Sequence, residues 1–75
     1  MKARDAALTA LGRNIRKRRE EHDLSQEDLA EKAGLDRTYI GGVERGERNL
    51  TILSAIKIAR PLNSTISELC KGIEK

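Results

Sequence analysis

A chain of 75 residues supports one compact domain, expected to span residues 1–75, and leaves no room for a second core. With hydrophobic residues at 37% and charged residues at 36%, it is too apolar for a disordered tail and too charged for a membrane protein; its longest apolar run, three residues, is far short of a bilayer span. The net charge of +3 is a modest excess that does not by itself separate a nucleic-acid binder from an ordinary basic protein.

The first helix is predicted from about Asp5 to His22, because Leu8, Leu11, Ile15 and the stem of Arg19 recur at three- and four-residue steps. A second begins at Ser25, whose hydroxyl can accept a bond from an otherwise unpaired amide while Asp28 faces back toward the cap. Its inner face is Leu29, Ala30 and Ala33, and Gly34 ends it. Asp36 can cap a third helix, Arg37 to about Arg45, with Leu35 at the corner, Ile40 and Val43 pointing inward, and Gly46 closing it. A fourth helix follows Asn49 or Thr51, with Ile52, Ile56 and Ala59 expected on its inner side, and runs into Pro61. Thr65 and Glu68 repeat the capping-box pattern and start a short fifth helix carrying Ile66, Leu69 and Ile73. No alternation of apolar and polar residues lasts long enough to form a sheet, so the fold class is all-α with five helices.

Charge distribution is more informative than net charge. Arg13, Arg16, Lys17, Arg18 and Arg19 crowd one helical stretch, and Arg37, Arg45 and Arg48 gather at a second locus. The two clusters serve one anionic surface only if the fold brings them together; otherwise they are solvated basic faces. The lone Cys70 fits a reducing compartment. The start Met1-Lys2-Ala3-Arg4-Asp5 is not followed by a secretory core, so a cytoplasmic location is expected. With neither a disulfide pair nor a metal cluster to supplement a small core, pairing with a second copy is expected too. The single histidine, His22, has no triad or metal partner nearby in sequence. The chain is therefore read as a protein without catalytic residues, cofactor, metal or small-molecule ligand.

The segment from Leu24 to Gly46 is two short helices joined by a glycine-containing turn, a helix-turn-helix. Small Ala30 permits close approach, Gly34 reverses the chain, and Leu35, Ile40 and Val43 set the second helix across the first. The motifs Leu24-Ser25-Gln26-Glu27, Leu29-Ala30, Ala33-Gly34-Leu35, Tyr39-Ile40, Glu44-Arg45-Gly46 and Lys57-Ile58-Ala59 resemble those of the phage-repressor-like, Xre-type regulators from Leu11 to Leu69. The stretch from Tyr39 to Asn49 also looks like the small controller proteins of restriction-modification systems.

This resemblance implies a compact, lambda-repressor-like domain that binds a palindromic operator in double-stranded DNA as a homodimer and regulates transcription. The third helix would enter the major groove, with Arg37 and Thr38 facing base edges. Arg37 can donate two bonds to a guanine, and its alternative is a phosphate contact. Gln26, Tyr39, Arg45, Arg48 and Asn49 fall where the family holds the sugar-phosphate backbone, although Tyr39 is equally well placed as a core contributor. The family also pairs an arginine and a glutamate at Arg19 and Glu44, which implies a structural salt bridge. Dimer contacts are expected from Ile66, Leu69 and Ile73.

Gly41 and Gly42 depart from the pattern at recognition-helix positions where side chains often read bases, and close approach of DNA to the bare backbone is the expected use. Pro61 and Ser64 stand where the family prefers alanine and an aliphatic residue, which alters the joint between the last two helices. The competing reading is an antitoxin-like or scaffold module using the same bundle to hold a protein. A nonspecific RNA or DNA binder is disfavoured because Tyr39 is the sole aromatic and offers almost no base-stacking platform.

Overall fold

The computed structural model describes residues 5–74; Met1 to Arg4 and Lys75, which complete the expected domain span of 1–75, lie outside the described residues. Five helices run in chain order: α1 (Ala6–Glu21), α2 (Gln26–Ala33), α3 (Arg37–Glu44), α4 (Ile52–Ala59) and α5 (Ile66–Leu69). No strand occurs among the described residues.

Local chemistry starts each helix. Asp5 accepts from the Ala7 amide at 2.8 Å, Asp36 from Thr38 at 3.1 Å and Thr51 from Ser54 at 3.0 Å. Ser25 with Asp28 and Thr65 with Glu68 both close complete capping boxes. The amide and hydroxyl of Ser25 hold the Asp28 carboxyl below the usual carboxylate range.

The first four helices end alike. A residue in the left-handed region follows the helix, and the next amide donates back five residues: Leu24 to Arg19, Leu35 to Ala30, Glu47 to Gly42 and Ser64 to Ala59. Gly34 and Gly46 take that conformation in two of these turns, but Asp23 (φ 56°) and Asn63 (φ 51°) take it in the others, where a β-carbon makes it strained.

Leu11 and Ile15 of α1, Leu29, Ala30 and Ala33 of α2, Ile40 and Val43 of α3, Ile58 and Ala59 of α4, and Leu69 of α5 share one core. Leu62, in the turn behind Pro61, joins them fully buried and was not foreseen. The α1–α3 contact is unusually close. A β-carbon on Gly12 would lie 2.5 Å from the carbonyl oxygens of both Val43 and Glu44, and one on Gly46 would lie 2.8 Å from the Thr9 α-carbon. From the middle of α1, the Asn14 amide donates to the Leu69 and Lys71 carbonyls at 2.8 and 2.9 Å and so pins the end of α5.

The fourth helix is rotated from expectation. Ile52 is 68% exposed and Ile56 half-buried, whereas Ala55, Ile58 and Ala59 face inward and continue to Leu62 at helical spacing. Ala59 belongs to both stripes, and the buried one runs on through Leu62, which the expected one does not reach. No helix among the described residues is long and apolar enough to cross a membrane.

Candidate nucleic-acid interface

Helices α2 and α3 form the expected unit. The Leu35 amide closes the turn onto the Ala30 carbonyl at 2.9 Å, Leu35 packs against the core, and Ile40 and Val43 are buried beneath α3. This leaves the first turn of α3 pointing outward. Arg37 and Thr38 are both exposed there, while Tyr39 is half-buried and packs on the core.

A buried ion pair fixes the far end of α3. Arg19 Nε and Nη2 donate to the two carboxylate oxygens of Glu44 at 2.6 and 3.0 Å, and Arg19 Nη1 donates to the Leu24 carbonyl at 2.8 Å. The side chains are only 10% and 2% accessible. The hydrogen bond to Glu44 holds the Arg19 pKa above its ordinary value, against the desolvation that lowers it, so the guanidinium stays charged. Gln26 Nε2 adds a third bond to Glu44, at 3.0 Å. The amide that opens α2 is thus tied to the same carboxylate that anchors α3, and its second N–H remains available as a donor. That link was not foreseen: the residues are 18 apart in sequence, with no local pattern to announce it.

The turn after α3 supplies the remaining cations. Arg45 Nε bonds Glu47 at 3.1 Å on the surface, and Arg48 and Asn49 are exposed. Arg37, Arg45 and Arg48 therefore flank one protruding helix. Of the α1 cluster, Arg19 is consumed by Glu44, Arg16 pairs with Glu20 at 3.3 Å on the surface, and Arg18 reaches Glu68 of α5 at 3.8 Å, so these three cations do not act as one patch. The glycine pair also differs from expectation. Gly41 and Gly42 are buried under the chain's own Arg45, Gln26 and Arg48 side chains rather than left bare.

Of the three residues expected at a dimer contact, Leu69 is corrected. It is fully buried in the protomer's own core, because the single turn of α5 must turn its largest inner residue toward α1 and α4. Ile66 and Ile73 are half-buried. Among the described residues, the large apolar side chains left most open to solvent are instead Ile52 and Leu53, at 68% and 61%.

The helix-turn-helix family profile matches residues 15–69, which contain α2, α3, the Arg19–Glu44 pair and the turn that carries Arg45, Arg48 and Asn49. This chain belongs to the Xre-type helix-turn-helix family. It is 51% identical over 59 residues to the control protein C.SmaI of Serratia marcescens, covering 79% of this chain and 70% of that one. Its fold superposes with a TM-score of 0.81 on the restriction-modification controller protein C.AhdI from Aeromonas hydrophila, at 45% identity and covering 83% and 94% of the two chains. A TM-score of 0.76 relates it to the biofilm master regulator SinR, solved in complex with DNA, at 32% identity and covering 79% and 95%.

Proposed function

We propose that the chain is a sequence-specific, double-stranded DNA-binding transcriptional regulator, acting as a single non-enzymatic domain in the cytoplasm in the manner of a restriction-modification controller protein. The observation that carries this reading is the first turn of α3. Arg37 and Thr38 project from it into solvent, on a helix whose other end is held by a buried, bidentate ion pair. Such a helix fits the major groove, where Arg37 recognises a guanine edge and Thr38 an adjoining base. Gln26, Tyr39, Arg45, Arg48 and Asn49 contact the flanking phosphates and set its register. The similarity to control proteins, and to a regulator solved on DNA, supports the same reading.

Two copies pair to present two recognition helices. Successive major grooves on one face of DNA are about 34–36 Å apart, and two protomers paired along the 31 Å long axis come near that spacing. Ile66 and Ile73 remain candidate contacts, joined by the exposed Ile52 and Leu53, whose burial by a second copy would remove the main apolar exposure. A dimer covering a promoter blocks polymerase, and one seated just upstream recruits it.

Selection from a pool of random duplexes tests the reading. It is expected to return an inverted repeat with half-sites one helical turn apart. A pool in which nothing is enriched would overturn it and favour a module that binds protein.

A further inference from the structure

The recognition helix carries two adjacent glycines, Gly41 and Gly42, in its C-terminal half, where they weaken helix propensity. Neither has a positive φ, so backbone conformation does not require them. What they accommodate is side chains. The three atoms nearest a β-carbon on Gly42 all belong to Arg48: Cγ at 2.9 Å, Nε at 3.3 Å and Cδ at 3.6 Å. On Gly41 the nearest are Arg45 Nη1 at 3.1 Å and Gln26 Oε1 at 3.4 Å. The left-handed turn at Gly46, closed by the Glu47-to-Gly42 bond of 2.9 Å, brings the chain back so that Arg48 lies across the helix. Gln26 is held from its other side by Glu44.

We infer that Gly41 and Gly42, lacking side chains of their own, form a saddle on the recognition helix that positions Gln26, Arg45 and Arg48 for DNA, Gly42 being the seat of the Arg48 stem. This rests on the proposed DNA-binding reading and adds to it residues that touch no DNA. An arginine on a flexible loop must surrender its rotamer freedom when it binds a phosphate or base. A stem already laid along the helix has surrendered part of it beforehand. Any side chain at position 42 displaces that stem, and the guanidinium with it, while leaving the helix backbone intact.

The test is Gly42→Ala, alone and combined with Arg48→Ala, titrated against a duplex recovered from the random pool. Thermal melts and the relaxation of the Arg48 Nε–H signal are measured on the DNA-free protein. Gly42→Ala is expected to melt at or above the wild-type temperature, to bind the duplex on the order of tenfold more weakly, and to loosen the Arg48 Nε–H. In the Arg48→Ala background it is expected to add nothing. An equal loss in both backgrounds would overturn the inference, since the glycine would then be answering to DNA itself. So would unchanged affinity, or an Arg48 Nε–H as mobile in the wild type as in the variant. If Arg48→Ala alone costs no affinity although Gly42→Ala still loosens the arginine, the DNA role assigned to Arg48 fails and the functional claim for Gly42 falls with it; the saddle geometry is untouched.

Discussion

Replacing Glu44 by alanine removes the carboxylate hydrogen-bonded to the buried Arg19 guanidinium and deletes three hydrogen bonds, two from Arg19 and one from Gln26. Because the arginine is about nine-tenths inaccessible, water cannot substitute for the lost partner without opening the α1–α3 contact. An orphaned buried charge of this kind costs about 3–5 kcal/mol. A chain of 75 residues has roughly 4–11 kcal/mol of stability in total, so Glu44→Ala is expected to remove about a quarter of it at the least. For a domain of this size that corresponds to a fall in Tm of roughly 12–40 °C. Urea unfolding followed by far-UV circular dichroism measures the loss. Arg19→Met with Glu44→Leu, which removes both charges, is expected to recover at least half of it, since no unpaired ion remains. A loss under about 1 kcal/mol for Glu44→Ala, the range of an exposed pair, would refute the reasoning. A double variant no more stable than the single one would do so too.

Other substitutions separate the roles assigned above. Arg37→Ala should weaken binding by about 1–3 kcal/mol and relax sequence preference at one position of each half-site, whereas Arg48→Ala should weaken all duplexes alike and flatten the salt dependence by about one counterion; binding-site selection and titrations at several salt concentrations distinguish them. Asp23→Gly relieves a left-handed aspartate at the end of α1 and should stabilise by on the order of 0.5–1 kcal/mol, a rise of a few degrees in a thermal melt. Leu53→Asp should leave the protomer's helical content intact while weakening self-association in sedimentation equilibrium, whereas Leu69→Asp should unfold the chain. Equal behaviour of the two leucine variants would contradict the placement of both.

What the sequence disclosed was mostly local. Ser25 with Asp28 and Thr65 with Glu68 announce helix starts because the bonds they make span three residues, and Gly34 announces a turn for a similar reason. The face of α4 was harder to read, since two stripes share Ala59 and the buried one opens on Ala55, whose methyl group carries little hydrophobic signal. Leu69 was misassigned because a one-turn helix shows no period, so nothing in it distinguishes core from surface. The pairing of Arg19 with Glu44, 25 residues apart, came from family resemblance rather than from any spacing. The purpose of Gly41 and Gly42 was hidden because the side chains that fill them belong to Gln26 in another helix and to Arg45 and Arg48 in the turn beyond.

Outward presentation of α3 to duplex DNA is open to direct measurement by following the backbone amide resonances of the protein as a selected duplex is added. The largest shifts should fall on the start of α2, the first turn of α3 and residues 45–51, with α1 and the end of α5 little changed. Shifts concentrated on the α1–α5 side, with Arg37 and Thr38 undisturbed, would contradict the account.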